Sequence, residues 1–145
     1  MIMAGLYIHI PFCAKKCAYC DFISFAGGEE EEEYINAVIK EMNVERPQNI
    51  ETVFIGGGTP SYISSGGIIR LLDAANERFY IQKDAEITIE ANPSSLSAEK
   101  LEAYKAAGIN RLSIGLQSAM ERELKMLGRL HDFNCFERVY NEARE

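Results

Sequence analysis

The sequence predicts an α/β fold in which about four βα units form a parallel sheet. Short runs typical of β-strands alternate with runs of helical periodicity along the 145 residues, and no low-complexity segment divides them. Each unit occupies roughly 35 residues, enough for a strand and its crossover helix. Four units cannot close an eight-stranded barrel of about 250 residues. We therefore expect residues 1–145 to be the N-terminal portion of a larger domain.

The order of the expected elements follows from periodicity and capping residues. A first strand over 6–11 precedes a loop that contains three cysteines and extends to Gly28. The next helix, over 29–46, opens with five consecutive glutamates, which the positive end of the helix dipole favours. We interpret them as a solvated helix start rather than a functional acidic patch. Ser97 and Gly108 are expected to cap the two ends of a later helix. The remaining expected elements are strands over 51–55, 86–91 and 111–116 and helices over 68–79 and 133–144.

Three of the expected strands alternate between apolar and polar residues, although parallel strands buried on both faces form continuous apolar runs. We therefore expect helices on the apolar face and a polar lumen, suited to a ligand, on the other. An antiparallel sheet with one solvated face would show the same alternation, but the intervening helices disfavour it. The polar positions are Tyr7, His9 and Pro11 on the first strand, Thr88, Glu90 and Asn92 on the third, and Ser113, Gly115 and Gln117 on the fourth.

Composition and charge narrow the classes of function. The chain is 47% hydrophobic and 26% charged, as in ordinary globular proteins. Its formal net charge of -7 disfavours nucleic acid as a partner, because so acidic a surface repels phosphates. No apolar run is long enough to cross a bilayer, and residues 1–5 lack the basic region of a signal peptide. We expect a cytoplasmic protein without a transmembrane segment, whose cysteines serve metals or catalysis.

Cys13, Cys17 and Cys20 form the pattern Cys-x3-Cys-x2-Cys. A cubane iron–sulfur cluster ordinarily takes four cysteines. Three thiolates would therefore leave one iron with an open position, as in catalytic metal sites.

Two other interpretations of the cysteines remain. A Cys-x-x-Cys pair can act as a redox dithiol, which leaves the third cysteine unexplained. A zinc site is also conceivable, although no second cysteine pair exists. Its ligands would be Cys17 and Cys20 with His9 or Cys13 and with Cys135 or His131. Cys135 itself is expected to be a small buried residue without a ligand role.

The segment Tyr7-Ile-His-Ile-Pro-Phe-Cys13, with Cys17 and Cys20, resembles the cluster segment of the oxygen-independent coproporphyrinogen III oxidases and the related radical S-adenosylmethionine (SAM) haem chaperones. The resemblance extends over essentially the whole chain. It implies part of a (β/α)6-type barrel, a [4Fe-4S] cluster on the three cysteines, and SAM on the open iron. The reduced cluster would pass one electron to SAM and so form a 5′-deoxyadenosyl radical.

The resemblance also implies which residues contact SAM. Tyr19 would pack near the adenine, the Gly56-Gly57-Gly58-Thr59-Pro60 motif would approach the methionyl amine, and Arg129 would reach the carboxylate. Tyr7 and His9 are expected beside the cluster or, alternatively, as a hydrogen-bonded polar pair at a strand end. No catalytic residue is assigned, and His131 receives no role. The expected cofactor-binding residues are Tyr7, Tyr19, Gly56, Gly57, Gly58, Thr59, Glu90, Gln117 and Arg129.

Two differences from the sequence motifs of the oxidases favour the haem-chaperone branch of the family. Phe22 stands where the oxidases have a further cysteine, and Gly128-Arg129-Leu130-His131 stands where they carry Asn-Arg-Glu-Gln. The sequence therefore predicts a haem chaperone. The alternatives are a true oxidase, which decarboxylates propionates to vinyl groups, and a zinc-stabilised domain without catalysis. The implied partners are SAM, haem or a porphyrinogen, and a reductant such as flavodoxin or ferredoxin.

Overall fold

A four-stranded parallel sheet organises the molecule. A computed structural model describes residues 4–145. In chain order, the elements are β1 Ala4–Ile10, β2 Phe12–Cys13, β3 Phe25–Ala26, α1 Glu31–Val44, β4 Asn49–Gly57, α2 Ser65–Arg78, β5 Tyr80–Ala91, α3 Ala98–Ala106, β6 Arg111–Ile114, α4 Glu121–Leu127 and α5 Phe133–Glu142, with short 3-10 turns at Pro60–Tyr62 and Pro93–Ser95. The sheet order is β1-β4-β5-β6 with every pair parallel. The predicted α/β fold of about four parallel units is thus confirmed.

The core lies between the apolar face of the sheet and the helices. Ile10, Ile55 and Ile89, from three neighbouring strands, are all 0% exposed. They form one cluster with Ile68 and Leu71 of α2. Burying each such side chain contributes about 1.5–3 kcal/mol. The helical spacing of the apolar residues in α2 therefore fixes which face of the sheet is covered, and leaves the opposite face for polar side chains.

That opposite face carries the predicted polar positions, but two of them, Pro11 and Thr88, are buried. Tyr7 is 56% exposed, but Thr88 is only 1% exposed. The guanidinium of Arg111, which lies beside Thr88 in the sheet register, crosses over it. Arg111 Nη1 donates to Thr88 Oγ1 at 3.2 Å, so the threonine is buried with its hydroxyl bonded.

Four of the five glutamates before and at the start of α1 are exposed, as predicted, but two of the five also bind residues of the next helix. Glu31 accepts hydrogen bonds from the Ser64 amide at 3.1 Å and the Ser64 hydroxyl at 2.5 Å. Glu32 forms an ion pair with Arg70 at 2.7 Å. Two of the acidic side chains therefore hold α1 against the start of α2, while Glu33 remains exposed.

Several element boundaries also differ from the prediction. β5 begins at Tyr80, six residues before the expected strand over 86–91, and α4 was not predicted at all. Ser97 does cap α3, because its side chain accepts from the Lys100 amide. β6 ends at Ile114 instead of Leu116. Among residues 4–145, no helix has both the length and the apolar character needed to cross a bilayer.

Candidate cluster and cofactor site

A cleft of about 230 Å³ lies at the carboxyl ends of β4, β5 and β6. Residues that follow parallel strands meet at one edge of a sheet, which is where ligands bind in open α/β folds. Two predicted site residues, Tyr7 and Gly56, are not among the lining residues. The predicted residues that do line the cleft are Cys13, Cys17, Cys20, Tyr19, Gly57, Gly58, Thr59, Glu90, Gln117 and Arg129.

The cysteine loop is fixed at both ends and at its middle. The short parallel pair of β2 and β3 closes the loop, because the Phe25 amide donates to the Pro11 carbonyl at 2.7 Å and the Gly27 amide donates to the Cys13 carbonyl at 2.9 Å. In the middle, the Ala18 amide donates to the Leu127 carbonyl, at the end of α4, at 3.2 Å. The loop is therefore built into the fold, although most of its side chains are exposed.

The thiols fit a multi-iron cluster better than a single metal ion. Cys13, Cys17 and Cys20 are free, and Cys13 is buried. Across residues 4–145, no three His, Cys, Asp or Glu side chains converge on one ion. Thiolates of a cubane each bind a different iron, so they need not converge on a point. Soft sulfur ligands alone on one loop are the donor set that iron–sulfur clusters take.

Both histidines of the zinc alternative are bonded to backbone carbonyls, and Cys135 lies outside the cysteine loop. His9 Nε2 bonds to the Ile23 carbonyl at 3.0 Å, and His131 Nε2 bonds to the Leu116 carbonyl at 3.1 Å. Cys135 lies in the first turn of α5 and is only half-buried, so the predicted burial was wrong. Arg138 lies beside it, with Nη2 at 3.9 Å from the sulfur.

Hydrogen-bond donors lie against two of the three cysteine sulfurs of the loop. Thr59 Oγ1 donates to Cys13 Sγ at 3.4 Å. Arg129 Nη1 lies 3.8 Å from Cys17 Sγ, within donating distance. Donors of this kind stabilise negative charge on thiolates and tune the potential of a bound cluster.

The glycine motif lets β4 approach the cysteine segment closely. A Cβ on Gly57 would lie 2.7 Å from the His9 ring, and a Cβ on Gly58 would lie 2.9 Å from Cys13 Sγ. Gly57 also has a φ of 118°, which side-chain-bearing residues rarely adopt. Its amide donates to Glu90 Oε2 at 3.2 Å. Gly56 makes room for the same carboxylate, since a Cβ there would lie 2.8 Å from Glu90 Oε2.

Arg129 reaches the cleft from the segment after α4. Its Nη2 donates to the Gly115 carbonyl at 2.8 Å, and its Nη1 donates to the Tyr19 hydroxyl at 3.4 Å. Its Nε is buried without a partner among the described residues. Neither Arg129 nor Glu90 takes part in an ion pair within residues 4–145. The cleft thus presents a separate guanidinium and carboxylate, which suit the carboxylate and ammonium of an amino-acid group.

Tyr7 and His9 form a hydrogen-bonded pair beside the cleft. Tyr7 Oη lies 3.0 Å from His9 Nδ1, and His9 Nε2 donates to the Ile23 carbonyl. Tyr7 also stacks on Phe54 with ring centroids 6.1 Å apart. Burial raises the pKa of Tyr7, so its hydroxyl remains a donor at neutral pH. The pair connects β1 to the end of the cysteine loop, in agreement with the second of the two predicted alternatives.

Sequence analysis did not assign every residue that lines the cleft. Asn92 and Ser113 were placed on the polar faces by strand parity, and a rule that follows parity to the strand ends would have selected them. Lys15 and Lys16 lie between the first two cysteines and add positive charge at the rim. Leu130 lies there too, 56% exposed. Nothing in the local sequence pattern identifies these three residues as lining residues.

Comparison with known proteins gives the family. The model of the radical SAM superfamily matches residues 7–145. The heme chaperone HemW of Escherichia coli is 44% identical over 133 residues, which are 88% of this chain and 35% of that protein. HemW of Bacillus subtilis is 42% identical and shares 94% of this chain and 39% of its own length. The mouse "radical S-adenosyl methionine domain-containing protein 1, mitochondrial" is 42% identical over 97% of this chain and 33% of its own.

Solved structures agree. The E. coli coproporphyrinogen III oxidase HemN, described as a radical SAM enzyme, superposes with a TM-score of 0.90 at 30% identity, over 98% of this chain and 34% of that one. An archaeal Elp3 from Methanocaldococcus infernus superposes at 0.54 with 19% identity, which shows a shared fold only. The chain spans about a third of the length of these curated relatives. The family implies SAM and a [4Fe-4S] cluster as cofactors, and the chain belongs to the radical SAM superfamily.

Proposed function

We propose that Cys13, Cys17 and Cys20 hold a [4Fe-4S] cluster and that the adjoining cleft binds SAM. The observation that carries the proposal is that one cleft gathers the three thiols with an unpaired guanidinium and an unpaired carboxylate. When bound, the cluster and SAM supply one-electron chemistry. The domain assignment goes with this proposal, in which residues 1–145 are the N-terminal portion of a radical SAM domain.

The cleft residues divide the recognition of SAM between them. Arg129 binds the carboxylate, since its Nε is buried and free of a partner within the described part of the chain. Glu90 and the backbone of Gly57 bind the amine, and Glu90 is already oriented by the Gly57 amide. Tyr19, 48% exposed at the rim, packs against the adenine. Gln117 contributes a carboxamide from the turn after β6. Gly56, Gly58 and Thr59 shape the wall, and Tyr7 supports the cysteine loop through His9.

The whole protein is most consistent with a haem chaperone. Phe22, at the position of the oxidases' further cysteine, is 67% exposed and lines the rim of the cleft. It supplies no thiol for chemistry on a substrate. Relatives at 42–44% identity carry the name heme chaperone. We propose haem as the bound partner, flavodoxin or ferredoxin as the reductant, and the cytoplasm as the compartment, where the four free cysteines would stay reduced.

A true oxidase is the second candidate, because the HemN structure superposes at a TM-score of 0.90. In that case the substrate is a porphyrinogen and the protein is an enzyme acting on propionate side chains. The support for this alternative is the shared fold and 30% identity, and a fold hosts different functions.

Anaerobic iron–sulfur reconstitution of the complete protein tests the proposal. We expect an EPR signal of a reduced [4Fe-4S] cluster that shifts when SAM is added. Cys17→Ala should abolish the signal, whereas Cys135→Ala, a matched control outside the loop, should leave it unchanged. A colourless protein with stoichiometric zinc would contradict the cluster and favour the zinc-stabilised domain. Haem titration and an anaerobic coproporphyrinogen III assay then separate the branches. Turnover to protoporphyrinogen IX without haem binding would establish the oxidase.

A further inference from the structure

The turn after β6 holds Gln117 in a backbone conformation that needs support. Gln117 has a φ of 66° and is, within residues 4–145, the one non-glycine residue with a positive φ. A side chain with a Cβ is strained in this region, and such strain persists only where surrounding contacts enforce it. Gln117, which lies in this turn, lines the cleft. The contacts that enforce the turn therefore decide where Gln117 lies.

The side chain of His131 contacts the peptide group that precedes the strained residue. Its Nε2 lies 3.1 Å from the Leu116 carbonyl, which belongs to the peptide group preceding Gln117. The carbonyl carbon of Leu116 is one of the four atoms that define the φ of Gln117. Holding this carbonyl therefore restrains that φ. His131 is only 5% exposed, so water does not compete for this hydrogen bond. The Ser118 amide donates to the same carbonyl at 2.9 Å.

The chemical state of His131 suits this contact. Burial lowers the pKa of the imidazole, so the ring is neutral at neutral pH and carries a single N–H. The Leu116 carbonyl can only accept, which places that N–H on Nε2. Nδ1 is then unprotonated, and it is buried without a partner among the described residues. The hydrogen bond to the Leu116 carbonyl is therefore the one that the His131 ring makes among the described residues.

The segment that carries His131 is itself anchored. Asp132 caps α5 by accepting from the Cys135 amide at 2.7 Å. Arg129, two residues before His131, donates to the Gly115 carbonyl at 2.8 Å, while Leu130 between them points outward and is 56% exposed. Arg129 and His131 thus bind successive carbonyls of the same turn, but Arg129 also faces the cleft as a ligand-binding residue.

We propose that His131 is a positioning residue that holds the turn over 115–117 so that Gln117 stays in the cleft. The inference rests on the proposed function, in which that cleft binds SAM. A glutamine at this position offers an amide N–H of similar reach, so glutamine can replace the imidazole, whereas leucine fills the volume without a donor.

Two readouts on the complete protein test the role of His131. The first is hydrogen–deuterium exchange over residues 112–119 without SAM, which does not depend on cofactor binding. The second is the dissociation constant of SAM after reconstitution. We expect His131→Leu to speed exchange in this segment about tenfold and to weaken SAM binding about tenfold, while the EPR signal without SAM is unchanged. His131→Gln should stay within about twofold of wild type in both, as should Asn134→Ala, an exposed control on α5.

The outcomes are separable. Wild-type protein that fails to bind SAM contradicts the proposed function, and the exchange measurement still decides the role of His131. Equal exchange and affinity in His131→Leu and wild type would overturn the positioning role. So would a glutamine variant as impaired as the leucine variant. If His131→Leu does not fold, His131→Asn, whose shorter side chain cannot reach Leu116, takes its place. Failure of both to fold would make His131 a residue of the core and refute the proposal.

Discussion

Replacing Gly57 by alanine tests whether the glycine motif is set by packing against the cysteine segment. Gly57 has a φ of 118°, and holding a Cβ in such a region costs about 1–3 kcal/mol. The new Cβ would also lie 2.7 Å from His9 Cε1 and 2.9 Å from the Ile10 carbonyl oxygen. Overpacking of this kind costs a further 1–3 kcal/mol or so. We therefore expect Gly57→Ala to lower the free energy of unfolding by roughly 2–6 kcal/mol.

The assay is urea unfolding of the complete protein, with and without a second substitution. His9→Ala removes the ring but leaves the strain and the carbonyl contact, so the double variant should recover only part of the loss. Gly66→Ala is the matched control. Gly66 lies on α2, and a Cβ there would have no other atom within 4 Å. We expect this substitution to stabilise the protein by about 0.5–1 kcal/mol. If Gly57→Ala and Gly66→Ala changed stability alike, the argument from close approach would be refuted.

Three further substitutions have separate expected results. Arg129→Lys should weaken SAM binding about tenfold without altering the cluster signal before SAM is added, because one ammonium cannot reproduce the fork that reaches Gly115 and Tyr19 together. Calorimetric titration checks this, and unchanged affinity would remove Arg129 from the site. Lys100→Met should lower the thermal midpoint and weaken SAM binding, because Lys100 Nζ donates to the Ser61 carbonyl at 2.6 Å and so supports the turn after β4. An unchanged affinity would show that the cleft does not depend on this turn. Tyr104→Phe should raise stability by about 1 kcal/mol, since the hydroxyl is buried without a partner in the described chain. Burial raises the pKa of Tyr104 to about 12. Ionisation of Tyr104 therefore leaves stability unchanged below about pH 10 and lowers it as the pH rises toward 12, and the phenylalanine variant should lack this alkaline loss.

Much of the site could be predicted because it depends on short-range patterns. The cysteine spacing, the glycine run and strand parity each concern residues a few positions apart, and the structure places Cys13, Gly58, Glu90 and Gln117 on one cleft. Parity predicted the inward direction of Glu90 from the pleat alone. It failed at Thr88, because the guanidinium of Arg111 on the neighbouring strand covers it.

The unpredicted parts depend on contacts between distant segments. Helix α4 has acidic residues in its first turn and Gly128 at its end, which are helix signals, but its seven residues are too short for a clear apolar period. The bond between Glu31 and Ser64 joins residues 33 positions apart. β6 ends at Ile114, and the next two carbonyls, of Gly115 and Leu116, are bound by the side chains of Arg129 and His131. No local propensity encodes the last two features.

The hydrogen bond between Arg129 and Cys17 spans 112 positions of sequence, and this separation has a consequence for biosynthesis. At a synthesis rate of roughly 5–20 residues per second, the cysteine emerges about 6–22 s before the arginine that will cover it. During this interval the thiols are open on the side later occupied by Leu127–Arg129. The nascent chain therefore passes through a state in which a cluster donor has wider access to the cysteines than it has in the finished fold.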